Sequence, residues 1–155
     1  MKKIILSFVL MFTLMLVPIT NVNALESNNF TYIDEVYDDG SYIEISIISP
    51  VSNARTISTH KKTASFKSSS GKVLWSVTVT GTFNYNGKTS TCTSSSVTTS
   101  NNSLTWKLSN AKSSKSGNTA SASVTAKEYH SNGTTVLRTI NKTVKLTCDK
   151  NGKLS

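Results

Sequence analysis

Proline is almost missing from this chain. Pro18 and Pro50 are its two examples in 155 residues, and mucin-like stalks, for all their serine and threonine, carry proline. Cysteine is as scarce, with Cys92 in T-S-T-C-T-S-S and Cys148 in K-L-T-C-D-K. Neither has a histidine or second cysteine at ligand spacing, which removes a thiolate metal site. Histidine stops at His60 and His130, and after Pro50 the acids stop at Glu128 and Asp149. A nucleophilic triad needs a base and an orienting acid, and glycoside hydrolysis needs two carboxylates across a sugar. Glu128 and His130 share a strand face but have no marked serine partner, and Asp149 follows a cysteine at a strand end. We therefore expect no enzyme and no cofactor. Asp34-Glu35 and Asp38-Asp39-Gly40 lack the spaced oxygens of a calcium loop, so no metal is expected either. Arginine is limited to Arg55 and Arg138. Without its planar fork, and with no reader motif, specific nucleic-acid binding is not expected.

Long apolar runs are missing too, with one exception. Ile4 to Val17 is apolar, follows Lys2-Lys3, and leads through Pro18 to Val22-Asn23-Ala24. That pattern predicts a signal peptide over residues 1–24, cut after Ala24. The run is short for a membrane span, which takes about 20 apolar residues. The expected mature chain is secreted or extracellular, without a transmembrane segment and in contact with the cell wall. Outside the cell an even cysteine count favours a disulfide, so Cys92 and Cys148 are expected to pair.

Charge is segregated. Six acids and no Lys or Arg lie between Glu26 and Glu44, whereas fifteen Lys and Arg follow Pro50. This predicts an acidic N-terminal leader, 25–50, with one short strand, and a basic domain, 51–155.

Period-2 alternation supplies the fold. In K-V-L-W-S-V-T-V-T-G-T-F-N-Y, residues Val73, Trp75, Val77, Val79, Phe83 and Tyr85 share one face, and Ser and Thr fill the other. That is a half-buried strand, and Asn86-Gly87 offers two residues that tolerate positive φ in a tight hairpin. Leu104, Trp106 and Leu108 alternate, as do Ala120, Ala122, Val124 and Ala126. After Asn132-Gly133 come Val136, Ile140, Val144, Leu146 and Cys148. Ile43, Ile45 and Ile47 belong to the leader's strand, and Ser109 to Asn118 reads as a loop or weak edge strand. About seven strands and no helical periodicity predict an all-β, antiparallel two-sheet sandwich of the immunoglobulin type. A small β-barrel is the alternative. Trp75, Phe83 and Trp106 are the expected core anchors, facing the small alanines.

The runs G-K-V-L-W-S-V-T-V-T-G-T-F-N-Y-N-G, C-T-S-S-S-V, L-T-W-K-L and K-S-G-N-T-A-S-A-S-V-T resemble small exported proteins of Gram-positive, clostridia-like bacteria grouped as a domain of unknown function. The likeness spans roughly Lys61 to Cys148. It implies an extracellular β domain with no known activity.

Thirteen lysines after Pro50 suit sequence-independent attraction to anionic polymers. The expected role is adhesion to an anionic cell-wall polymer or glycan, with Lys61, Lys62, Tyr85 and Tyr129 as candidate contacts. The alternative is a bacteriocin-like protein acting on membranes.

Overall fold

Half-buried alternation and glycine turns build two antiparallel sheets in the computed structural model, which describes residues 28–49 and 57–155. The signal segment and the connector 51–53 lie outside the described residues. Sheet A has five strands: β1 (Asn28–Val36), β2 (Tyr42–Ser49), β3 (Ile57–Lys67), β4 (Val73–Tyr85) and β5 (Ser90–Asn101). Sheet B has three: β6 (Trp106–Ser116), β7 (Thr119–Tyr129) and β8 (Val136–Thr147). Within each sheet, every strand pairs with its neighbours in sequence, and β5 to β6 is the step between the sheets. The sandwich is therefore open, not a barrel, and its connections are those of a meander rather than a Greek key.

The acidic leader does not stand apart. Its strand β1 pairs with β2 from Asn28↔Ser49 to Val36↔Tyr42. Ile43, Ile45 and Ile47 enter the same core as the residues after Pro50. Ser109 to Ser116, expected to be loop or weak strand, continues β6 against β7. Leu104 does not join the apolar face; it stands fully exposed in the turn before Trp106.

Trp75, Val77, Val79 and Phe83 face inward from β4 and are completely buried. Ala120, Ala122 and Ala126 face them from β7, so bulk on one sheet meets small side chains on the other. Gly81 sits in the same row. A Cβ there would come within 2.7 Å of the Phe83 ring and 2.8 Å of the Ala120 Cβ. The missing side chain is what lets β7 approach β4.

Trp75, Phe66 and Trp106 form an aromatic cluster at one end, with ring centroids 4.9–5.9 Å apart. Arg138 closes it. Its guanidinium lies 5.1 Å from the Phe66 ring, 5.2 Å from Trp106 and 5.4 Å from Tyr37. Nε and Nη2 donate to one Glu128 oxygen at 3.1 and 3.0 Å, and Nη2 stands 3.3 Å from Asp39. On the same open side, Lys142 Nζ reaches Asp34 at 2.6 Å and Glu35 at 3.5 Å. The leader's acids thus fold onto two basic side chains of β8. The opposite side is closed by hydrogen bonds between sheets, among them Ser113 Oγ to the Ser95 carbonyl at 3.4 Å.

Both Asn-Gly turns use asparagine differently from the expectation. Gly87 and Gly133 take positive φ, at 81° and 73°, but neither Asn86 nor Asn132 does. Instead Asn86 Oδ1 accepts from the Lys88 and Thr89 amides at 3.0 and 2.9 Å. Asn132 Oδ1 accepts likewise from Thr134 and Thr135 at 3.1 and 3.2 Å. Each is an Asx turn that caps a longer loop.

Candidate polyanion-binding face

Strand register decides which lysines share a surface. In sheet B the cross-strand rows Lys107–Lys127–Thr139, Ser109–Thr125–Asn141, Lys112–Ser123–Thr143 and Ser114–Ser121–Lys145 point away from the core. Their alternates, Ala120 to Ala126 on β7 and Ile140, Val144 and Leu146 on β8, are buried. The outer face therefore carries Lys107, Lys112, Lys127 and Lys145 among hydroxyls and an amide, with no carboxylate.

Elsewhere three cations are neutralised by acids. Lys67 pairs with Glu44 at 2.6 Å, and Arg138 and Lys142 take Glu128, Asp39, Asp34 and Glu35. Asp149 accepts from the Asn151 and Lys153 amides at 2.8 Å, and those bonds lower its carboxyl pKa. Among the described residues, the four outer lysines of sheet B have no salt bridge. Strands lie about 4.8 Å apart and alternate residues advance about 6.8 Å. On that lattice Lys107 and Lys127 are directly opposed at about 5 Å, Lys112 to Lys127 is about 14 Å and Lys145 to Lys112 about 12 Å, so the four are spread over all three strands.

A bulge interrupts β6 on this face. Pairing jumps from Ser109↔Thr125 to Lys112↔Ser123, and Asn110 takes φ 54°. Asn110 is the one non-glycine with positive φ among the described residues. Cavities of about 330 and 420 Å³ flank it, both lined by Lys112, Ser123 and Thr143. Bulges re-aim side chains and concentrate beside functional sites. Here the bulge lifts Lys112 next to a hollow walled by hydroxyls.

The four candidate contacts do not converge. Lys61 is exposed on the outer face of sheet A, whereas Lys62 turns to the inner side, where burial lowers its pKa against the pull of Asp34. Tyr85 packs against the core and under Gly152, whose added Cβ would lie 2.7 Å from its ring. Tyr129 lies at the opposite end, with Lys107 Nζ 4.6 Å above its ring, so it borders the lysine face. Neither the bulge nor Lys107, Lys112, Lys127 and Lys145 as a set was marked by sequence. Alternation within β7 and β8 assigns Lys127 and Lys145 a wet face, but only the pairing joins them to β6.

Glu128 and His130 do not work together. Glu128 binds Arg138, while His130 is exposed in the turn beside Ser131 and Asn132. His60 is buried, with Nε2 2.6 Å from Ser58 Oγ and no partner on Nδ1. Burial holds its pKa below 6.5. The unfolded chain then binds more protons than the folded one below about pH 6.5, so stability falls as pH drops through that range. Urea unfolding at pH 7.5 and 5.5 is expected to show this loss, and His60→Gln is expected to flatten it. An unchanged slope in the variant would assign the acid sensitivity elsewhere. Asp39 and Asp149, lowered mainly by hydrogen bonds to their carboxylates, act in a separate window below about pH 4.

The cysteines carry free thiols. Cys92 Sγ lies 3.2 Å from the Ser94 carbonyl and Cys148 Sγ 3.6 Å from that of Asp149, so each is turned to a backbone acceptor and the expected disulfide is not formed. Their backbones nevertheless meet at one turn: the Cys92 amide donates to the Gly117 carbonyl at 2.8 Å, and the Cys148 amide to that of Asn118 at 3.1 Å.

No protein-family model, curated protein or solved structure gives a significant match to the chain.

Proposed function

We propose that this is an exported, non-catalytic protein that adheres to anionic or glycan surfaces at the cell wall. One observation carries the reading: the outer face of sheet B presents four lysines without a single carboxylate, while Glu44, Glu128, Asp34, Glu35 and Asp39 pair with Lys67, Arg138 and Lys142. A phosphodiester or uronic-acid polymer would find point charges about 5–14 Å apart with hydroxyl donors and acceptors among them. Lysine suits this task because its charge is compact and its stem flexible, giving attraction without fixed readout. The signal-like start and the likeness to exported Gram-positive proteins agree with this location. In the same reading Cys92 and Cys148 close to a disulfide in an oxidising exterior.

The test is co-sedimentation of the mature protein with isolated Gram-positive cell walls across a salt series, before and after extraction of their phosphodiester polymers. Binding is expected to weaken steeply with salt and with extraction. The variant Lys107→Gln/Lys112→Gln/Lys127→Gln/Lys145→Gln is expected to lose at least tenfold in affinity while keeping its melting temperature. Retained binding by that variant would remove sheet B as the contact face. Dye leakage from anionic vesicles in place of wall binding would favour action on membranes.

A further inference from the structure

The edges of the two sheets are protected unequally. Sheet B ends in β6, which carries Lys107, Lys112 and Lys115, and in β8, which carries Arg138, Lys142 and Lys145. Lysine is the usual gatekeeper against edge-to-edge pairing. The β5 edge of sheet A lies under β6, tied by the Ser113 and Lys115 bonds to the Ser95 and Thr93 carbonyls. Among the described residues, the β1 edge has none of this. Its nine residues, N-N-F-T-Y-I-D-E-V, include no lysine, arginine or proline. Apolar side chains stand exposed on both of its faces: Phe30 at 61 % on the inner side, and Ile33 at 58 % and Val36 at 67 % on the outer.

We propose that β1 is a self-pairing edge and that its partner is a second copy of this chain. The two β1 strands run antiparallel about a two-fold axis through Thr31, fusing two five-stranded sheets into one of ten. Three observations select that register. Regular pairing of β1 runs from Asn28 to Ile33 before the bulge at Asp34, and an axis at Thr31 uses this regular stretch. It sets Phe30 against Tyr32 of the second copy, twice. Phe30 and Tyr32 already lie 5.6 Å apart within one chain, so four rings gather where sheet B leaves the inner face uncovered. It also brings no carboxylate opposite another, because Asp34 and Glu35 fall outside the paired stretch and remain with Lys142.

The register has a consequence on the outer face. Thr31, Ser46, Thr63, Thr78 and Thr98 are direct neighbours across the five strands of sheet A. Joined at Thr31, two such rows become one line of ten hydroxyls about 43 Å long at the strand spacing of about 4.8 Å. Dimerisation would thereby double the hydroxyl row as well as the lysine face available to a polymer.

The test uses the mature protein. Analytical ultracentrifugation is expected to show a concentration-dependent dimer. Phe30→Lys and Ile33→Lys, at exposed positions, are expected to give monomers that melt as the wild type does at concentrations where it too is monomeric. Directly opposed residues place their Cα atoms about 4.5–5.5 Å apart, within disulfide reach. Thr31→Cys is therefore expected to cross-link two copies under mild oxidant, whereas Ile33→Cys, about 14 Å from its own copy, is not. A wild type that stays monomeric at every concentration would overturn the proposal. So would a dimer that survives Phe30→Lys and Ile33→Lys, or cross-linking through Ile33→Cys and not Thr31→Cys.

Discussion

Trp75→Ala is expected to lower the unfolding free energy by about 3–5 kcal/mol, among the largest losses from any single side chain in this fold. The ring is completely buried and stacks on Phe66 at 5.4 Å, inclined by 15°, with Trp106 5.9 Å away. Its indole nitrogen has no hydrogen-bond partner, so truncation breaks no polar contact. The whole effect is lost apolar transfer and the cavity left behind. That cavity cannot collapse easily, because its walls belong to two hydrogen-bonded sheets. Urea denaturation checks this through a lower midpoint at an unchanged slope. A loss below about 1 kcal/mol would mean that Trp75 does not anchor the sandwich. Trp106→Ala would also strip one aromatic platform from Arg138, so the two substitutions are expected to combine non-additively.

Trp75 was legible because β4 repeats one dry and one wet residue over its length, as a central strand packed on one face must. The alanines of β7 were legible for the same reason. β1 was not. An edge strand that overhangs the smaller sheet is exposed on both faces, so its residues carry no burial pattern. Its partners are also remote: Lys142 meets Asp34 across 108 positions of sequence. The tail of β6, S-N-A-K-S-S-K-S, is wet on both sides and broken by the bulge at Asn110, which hides its pairing with β7. In β8 the inward positions 138 and 142 hold arginine and lysine, compensated by Glu128, Asp39, Asp34 and Glu35 from other strands and turns. Alternation placed Ile140, Val144 and Leu146 correctly but had no means of showing that two cations complete their row. The candidate face failed to emerge for a related reason. Its lysines come from three strands, and only register says that they share a side.

Oxidation of Cys92 and Cys148 is expected to stabilise the fold by about 4 kcal/mol, from the loop-entropy estimate for closure of about 57 residues. The two residues join the edge strand of sheet A to the end of β8 in sheet B, where no backbone ladder connects the sheets. Both amides are already fixed on consecutive carbonyls, Gly117 and Asn118, and the Asn118 side chain holds the Cys148 carbonyl at 2.9 Å. The change required is therefore chiefly at the side chains, which must leave the Ser94 and Asp149 carbonyls. Two thiols become one disulfide, and two electrons and two protons pass to an external disulfide oxidant. Burial raises the pKa of both thiols. The thiolate is the reactive form, so the folded, reduced protein is expected to react slowly and to close fastest while it is still folding. Mass spectrometry of the protein folded under oxidising conditions should find it two hydrogens lighter and resistant to alkylation. Its urea midpoint should fall on reduction, and Cys92→Ser should match the reduced form. Prompt alkylation of both cysteines in the native protein after oxidative folding would sink the pairing. A covalent dimer would place the bond between chains, where the loop-entropy term vanishes and reduction would leave the monomer's stability unchanged.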